Sequence, residues 1–404
     1  MSITFRNQVS VETDLPKFEV KGRPSPRSPY SRAFSPLSGG GALASRLTKL
    51  RRRDAIWTFV LVVILFQVYL IINRKNAASS TVRFGSSRTL RYIPNAELSL
   101  PDSFQKDLQP VVTVIGTEAE LSPAIFMFSY PPYGPQYMTV HVRNEGENFR
   151  LVKHLIKTGA RQPDWESPKR PPIFLDVGSN HGGFALYAAQ VDPYMVSIAI
   201  EPQSRLARLV VLAARTNGLA DRIRVLNCAV HTVPDLQVGM KQTWGDGGIG
   251  QMTTSHELAD PDNLLVPTVR IDQLVAKEDR ILIMKVDVES YEVIALRSAL
   301  PIINQVENIL VEWGPENRWA NESKTTIAEG KEILSEMMSS GFSLKVLFSL
   351  CWYGFDDTLF PPMRMQSPFF LEPVNYRSVP VEHLPVFVEQ FHTWQQECYL
   401  WLHR

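Results

Sequence analysis

The sequence predicts an α/β fold, a doubly wound and mostly parallel sheet with helices on both faces. Three observations carry that expectation. From residue 171 onward, short continuous apolar runs of strand length alternate with helical patterns, the signature of a parallel sheet covered on both sides. The strand runs end on polar side chains: Asp176, Glu201, Asn227, Asp287 and Glu312. The first run, Ile173 to Val177, opens directly into Gly178-Ser179-Asn180-His181-Gly182-Gly183. Such a glycine-rich turn lets a ligand come close to the backbone, and ligands of open α/β sheets bind at the carboxyl ends of the strands.

The chain has 404 residues and a formal net charge of +1. Residues 1–54 carry eleven Lys or Arg against four Asp or Glu, a net of +7, which leaves −6 for the rest. Rich in Pro, Ser, Gly and Arg and poor in aromatics, this segment cannot bury a core and is expected to be a disordered basic tail. The mildly acidic remainder excludes nucleic acid as the main partner.

Residues 55–73 are almost all apolar and uncharged, with a polar interruption at Gln67. At about 1.5 Å per residue they span a bilayer core, with Trp57 and Tyr69 near the ends where amphipathic rings favour the interface. The segment lies too far from the N-terminus for a cleaved signal and is expected to be a transmembrane helix, a signal-anchor. Lys49, Arg51, Arg52 and Arg53 crowd its N-terminal flank against Arg74 and Lys75 on the other, which close to the span favours a cytoplasmic tail; within twenty residues Arg83, Arg88 and Arg91 even the count. The expected arrangement is therefore type II, in the Golgi or endoplasmic reticulum, with the large domain lumenal. Asn321-Glu322-Ser323 is a glycosylation acceptor pattern usable only there.

Residues 74–110 read as a stalk. Residues 111–170 form an accessory segment with strands over Val111–Gly116, Ala124–Tyr130 and Met138–Val142 and a helix over Glu145–Gly159. The main domain, 171–404, then runs strand (Ile173–Val177), helix (Phe184–Gln190), strand (Met195–Ile200), helix after Pro202 ended by Asn217-Gly218, strand (Ile223–Leu226), and a flexible Gly-rich loop, Thr243–Thr254. It continues through strands at Thr268–Ile271, Ile281–Asp287 and Asn308–Val311, a helix over Lys324–Ser340 stopped by Gly341, a strand at Ser343–Phe348 and a last antiparallel one at Phe369–Pro373. Cys228, Cys351 and Cys398 are too few and too scattered for a disulfide framework or a zinc site.

The glycine turn is specific in its details. A dinucleotide site wants Gly-x-Gly-x-x-Gly, the second glycine admitting a pyrophosphate; here that position is Asn180. Asp176 lies two residues before Gly178, poorly placed for phosphates and suited to a cationic or hydroxyl-rich ligand. Glu201 ends the next strand at the distance where an acidic residue accepts hydrogen bonds from ribose hydroxyls. This turn with its distal glutamate resembles the S-adenosylmethionine site of class I, Rossmann-like methyltransferases. A narrower resemblance adds Thr268-Val-Arg-Ile-Asp272, Met284-Lys-Val-Asp-Val-Glu-Ser-Tyr-Glu292 and Ile309-Leu-Val-Glu312, in that order. Over residues 171–345 the chain is similar to the FkbM family of methyltransferases, which mostly methylate hydroxyl oxygens of sugars and natural products. It departs from the family at Ser290, where glycine is usual, and at His181-Gly182-Gly183.

The resemblance implies S-adenosylmethionine as cofactor, held by Asp176, Gly178, Ser179, Asn180, Gly182, Glu201 and Asn227. It implies a membrane-anchored O-methyltransferase with a glycan or small-molecule acceptor. For an acceptor hydroxyl, the enzyme must hold the reacting atoms together and remove a proton. Asp287 and Glu289 are expected there, with Lys285 two residues earlier on the same strand face keeping Asp287 ionised. Structural ion pairing is the alternative for Asp287 and Lys285, and Glu292 is expected to brace the turn. No metal is expected, since Asp287, Glu289, Glu312 and His256 show no ligand spacing. Trp313, Trp319, Trp352 and Tyr353 are either a sugar platform or core and rim. Two other functions compete: a cofactor-binding module without catalysis, and a nicotinamide oxidoreductase, which Asn180 and the Lys-Asp-Glu block oppose.

Overall fold

The computed structural model describes residues 111–115, 122–129, 144–159, 171–241, 251–253, 264–348, 350–367 and 370–404. The expected tail (1–54), membrane helix (55–73) and stalk (74–110) lie outside the described residues, as do the strand at Met138–Val142 and His256. Among the described residues no helix is long and apolar enough to cross a membrane.

The accessory segment supplies an antiparallel hairpin, β1 (Val111–Ile115) and β2 (Ile125–Ser129), and helix α1 (Gly146–Gly159). The main domain opens with β3 (Ile173–Val177), α2 (Gly183–Val191), β4 (Val196–Ile200), α3 (Ser204–Thr216) and β5 (Ile223–Leu226). A small sheet follows, built from β6 (Ala229–Val230), β7 (Gln237–Lys241), β8 (Gln251–Thr253) and β9 (Leu264–Val269) in the order β6-β9-β7-β8. Then come β10 (Ile281–Val286), α4 (Glu292–Ala299), β11 (Val306–Trp313), α5 (Glu316–Asn321), α6 (Ile327–Ser339) and β12 (Ser343–Leu347). The chain closes with β13 (Pro362–Ser367), β14 (Phe370–Val379), α7 (Leu384–Trp394) and β15 (Cys398–His403).

The main sheet has nine strands in the order β13-β14-β12-β15-β11-β10-β3-β4-β5. From β11 to β5 all pairs are parallel; from β11 to β13 all are antiparallel. The sheet is therefore mixed, which corrects the mostly parallel expectation. The cause is β15, which returns from the chain's end and inserts between β11 and β12. β3 and β10 are buried along their whole length because both faces of the sheet are covered. One face packs on α4, α6 and α7 through Val293, Leu334, Met337 and Phe387. The other packs on α1, α2, α3 and the hairpin through Phe149, Leu186, Val210 and Met127.

Local chemistry sets the ends of these elements. Thr326 caps α6 through a reciprocal pair with Glu329, the capping box that satisfies two orphan donors. Asn217 ends α3 as expected and also clamps the hairpin, accepting from the Phe126 amide at 2.9 Å and donating to its carbonyl at 2.8 Å. The predicted Thr243–Thr254 loop lies partly outside the described residues, and its far end is strand β8. Cys351 and Cys398 form a single disulfide and Cys228 stays free and buried, a pairing that the spacing of the cysteines does not announce. The turn after β12 and the start of β15 bring together residues that are 47 positions apart in sequence.

Chain order runs β3-β4-β5 in one direction, then reverses to β10-β11 on the other side of β3. The carboxyl ends of β3 and β10 therefore flank a topological switch point, where ligands of open α/β sheets bind.

Candidate active site at the switch point

The turn after β3 is shaped by close approach. Gly178 has φ +80°, and a Cβ there would lie 1.8 Å from the Asp287 carbonyl oxygen. Its amide and that of Ser179 donate to the Ile200 carbonyl at 3.0 and 2.9 Å. Asn180 is left-handed at φ +51°. Gly182, at φ +79°, seats the turn against Val210, whose Cγ1 lies 2.7 Å from where a Cβ would be. Asp176 is buried and accepts from the Ala185 amide in the first turn of α2 at 3.0 Å. Burial pushes its carboxyl up to about 7, against the pull of Lys285.

Glu201 is only 3 % exposed. One oxygen accepts from the Asn180 amide and the other from the Gln203 amide, both at 2.8 Å. Burial raises its carboxyl to about 8, with those two bonds working against the rise. Each oxygen keeps a second lone pair. Asn227 departs from its expected role as a cofactor ligand. Its amide donates to the carbonyls of Glu201 and Pro202, both at 2.9 Å, and its oxygen accepts from Ser204 at 2.7 Å. Both of its donated bonds brace the β4–α3 turn that carries Glu201.

The second turn leaves β10. Lys285 lies in register with Asp176, is 3 % exposed, and donates to Asp287 Oδ2 at 2.7 Å. The expected pairing on one strand face is present. Its ammonium also lies 4.8 Å from the centre of the Phe184 ring. Burial opposes its charge, but Asp287, Glu145 and Asp176 outweigh that and its pKa is raised. Glu289 and Ser290 both adopt positive φ, +48° and +86°. Glu292 holds them as a brace, accepting from the Ser290 amide at 2.9 Å and from Trp319 Nε1 at 2.8 Å.

Asp287, Glu289 and Glu312 bring three carboxylate oxygens within 4.8 Å of one another. Burial first, then repulsion from Asp287, raises Glu289 to about 8, with Arg318 opposing. The same causes raise Glu312 well above the carboxylate range. Three such groups are chemically able to hold a cation. Arg318 already puts a positive charge among them, at 2.8 Å from Glu289, 3.7 Å from Glu312 and 2.9 Å from Glu397. Opposite Glu312 in the sheet stands Tyr399, whose hydroxyl burial pushes well up, with Glu145, Glu312 and Asp287 adding to the shift. Arg318, Glu397 and Tyr399 were not anticipated. No residue pattern marks them: Glu397 and Tyr399 reach this edge only through the insertion of β15, and Arg318 sits on the short helix α5 that follows β11. Of the four aromatics considered as a platform, Trp313 and Trp319 are fully buried and packed edge to face at 4.7 Å. Trp352 is also buried, and Tyr353 alone of the four is exposed.

Several buried polar atoms at this edge have no hydrogen-bond partner among the described residues: Asp176 Oδ1, Ser179 Oγ, Asn180 Oδ1, Ser290 Oγ and Glu312 Oε2. Orphaned polar atoms are costly unless a ligand or water meets them. Together with the cradle at Gly178, they fit a polar cofactor lying across the ends of β3, β4 and β10.

An α/β domain with a mixed sheet, a glycine cradle at its switch point and an acidic crevice beside it defines the methyltransferase-like class. Residues 176–344 match the Methyltransferase FkbM domain; the protein is a methyltransferase similar to that family over this stretch, and S-adenosylmethionine is its cofactor. No curated protein matches the chain. Among solved structures it is similar to precorrin-6y C5,15-methyltransferase from Geobacter metallireducens GS-15, at 7 % identity over 63 % of this chain and 88 % of that one, TM-score 0.29. It is similar to the plantazolicin methyltransferase BpumL in complex with a substrate analog and SAH, at 10 % identity over 67 % and 90 %, TM-score 0.29. A third is a putative O-methyltransferase from Nostoc punctiforme PCC 73102, at 14 % identity over 60 % and 58 %, TM-score 0.28.

Proposed function

We propose that the protein is a membrane-anchored O-methyltransferase whose acceptor is a hydroxyl of a glycan or glycoconjugate. It would act from the lumenal side of the Golgi or endoplasmic reticulum, held by residues 55–73. The observation that carries the catalytic reading is the Lys285–Asp287 pair at 2.7 Å, set where the Asp287 backbone meets the glycine cradle. The cofactor supplies an electrophilic methyl group on a sulfonium. Glu201, steadied by Asn227, takes the ribose hydroxyls, and Asp176, Ser179 and Asn180 offer their unpaired oxygens to the remaining polar groups. Asp287 accepts the proton of the acceptor hydroxyl, and Lys285 keeps it ionised until it does so. Glu289 and Glu312, both raised, stand ready as neighbours through which that proton can move on.

A hydroxyl acceptor is supported by the need for such a base, and a glycan by the family resemblance. The Cys351–Cys398 disulfide supports an oxidising compartment. The test incubates the purified full-length protein with methyl-labelled cofactor and a panel of glycans. Label should appear as a base-stable methyl ether on a sugar. Label recovered only on nitrogen, or as a base-labile ester, would sink the O-methyl reading.

A further inference from the structure

We propose that Asn321 is a modification site that carries an N-linked glycan; this rests on the reading that the domain is lumenal. Asn321-Glu322-Ser323 fits the acceptor pattern, with no proline in the middle. In the whole 404-residue chain no other Asn has Ser or Thr two positions on, so the chain offers a single acceptor.

The structure puts this Asn where a bulky polar group can stand. Asn321 is the last residue of α5 and is exposed. Its side-chain amide makes no hydrogen bond among the described residues, while its backbone carbonyl accepts from Lys324 Nζ at 2.8 Å. The chain leaves the helix immediately afterwards, and Lys324 takes a left-handed φ of +60°. The Ser323 hydroxyl is within reach of the Trp319 carbonyl at 3.2 Å and donates to Thr325 Oγ1 at 2.8 Å, closing the turn. Carbohydrate here would have solvent on one side and a short, well-bonded helix end beneath it. Other asparagines of the domain are engaged: Asn217, Asn227 and Asn308 each spend their amides on backbone carbonyls.

An independent observation points the same way. The Cys351–Cys398 disulfide belongs to oxidising compartments, and these are the compartments where oligosaccharide is transferred to asparagine. In that step the Asn321 amide nitrogen forms a bond to the anomeric carbon of an oligosaccharide held on a lipid pyrophosphate. The anomeric carbon–oxygen bond breaks, the lipid pyrophosphate leaves with its electron pair, and the amide gives up one proton. No oxidant or reductant is needed. The glycan would stand one helical turn from Arg318, at the rim of the carboxylate crevice and outside its contacts.

The experiment expresses the full chain with a C-terminal tag in cells with a secretory pathway. Mobility is compared before and after treatment with an amidase that removes N-glycans, and protease protection of the tag is measured in intact microsomes. A single mobility step is expected, abolished by Asn321→Gln and by Ser323→Ala and kept by Ser323→Thr, which preserves the hydroxyl. A protected tag with no step in the wild type overturns the proposal and leaves the lumenal reading intact. A digested tag with no step overturns both. A step that survives Asn321→Gln overturns the proposal as well.

Discussion

Two turns leave neighbouring strands at the same edge of the sheet and meet the demand for left-handed backbone in opposite ways. After β3 the demand falls on Gly178 and Gly182, with Asn180 between them. Glycine adopts that conformation without steric cost and Asn tolerates it, so the turn needs no brace against strain; the Ile200 carbonyl and Glu201 take its amides. After β10 the demand falls on Glu289 and Ser290, which resist it. There the conformation is held from outside, by Arg318 on Glu289 and by Glu292 on the Ser290 amide, with Trp319 holding Glu292. The first turn, lacking a Cβ at Gly178 and Gly182, clears room for a cofactor beside the unpaired oxygens of Ser179 and Asn180. The second presents side chains, and strain of this kind clusters where side chains must be aimed.

The contrast breaks most visibly at Gly178. A Cβ there collides with the Asp287 carbonyl, which is backbone and cannot swing away. Overpacking costs about 1–3 kcal/mol and a left-handed alanine about 1–2 more. Gly178→Ala should therefore lose about 2–5 kcal/mol in urea unfolding, together with cofactor binding. An unchanged midpoint would show that the two turns do not touch as described. Asp287→Asn probes the other side. It keeps the shape and should lower single-turnover methyl transfer by roughly 10²–10⁴-fold, with calorimetric cofactor affinity nearly unchanged. If affinity falls in step with rate, Asp287 belongs to the cofactor pocket.

The parallel half of the sheet was legible because strands buried on both faces are continuous apolar runs. β3, β4, β5, β10 and β11 lie where Ile173–Val177, Met195–Ile200, Ile223–Leu226, Ile281–Asp287 and Asn308–Val311 predicted them, to within about two residues. The antiparallel half was not. Cys398–His403 is a short run at the chain's end, and nothing local tells it to enter the middle of a sheet. The site divides in the same way. Asp176, Glu201 and Asp287 were readable as strand ends, and the Lys285 pairing followed from strand alternation. Arg318, Glu397 and Tyr399 depend on where β15 and α5 land, which is a tertiary outcome.

A smaller effect separates the turns by pH. The folded domain holds the Glu201 proton up to about 8, well above an ordinary glutamate near 4.3. Between those values the folded state binds more protons than the unfolded one. The cofactor-free domain should therefore lose stability as pH rises through that interval and lose no more above it. If ribose hydroxyls need the ionised carboxylate, cofactor affinity moves the other way, weakening by up to about tenfold per unit as pH falls below 8. Calorimetry at several pH values checks this, and Glu201→Gln should flatten the slope. A slope that survives in the variant would place the titrating group elsewhere, at Asp176 or Glu289.

The smallest expected effect is the sharpest test of the contrast. Ser290 is 1 % exposed, sits at φ +86°, and its hydroxyl has no hydrogen-bond partner among the described residues. Ser290→Gly removes a left-handed cost of about 1–2 kcal/mol, while the freer unfolded chain takes back about 0.5–1. A net stabilisation of about 1 kcal/mol should result, unusual for a substitution at a buried position, since most such changes destabilise. The backbone bond from the Ser290 amide to Glu292 survives the change, so the brace stays in place. What disappears is the stiffness that fixes where Glu289 points. Turnover should then fall modestly while the unfolding midpoint rises and cofactor affinity holds, a combination that loss of packing cannot produce. A lower midpoint would mean instead that the hydroxyl finds a partner in the folded protein and that the second turn is as relaxed as the first.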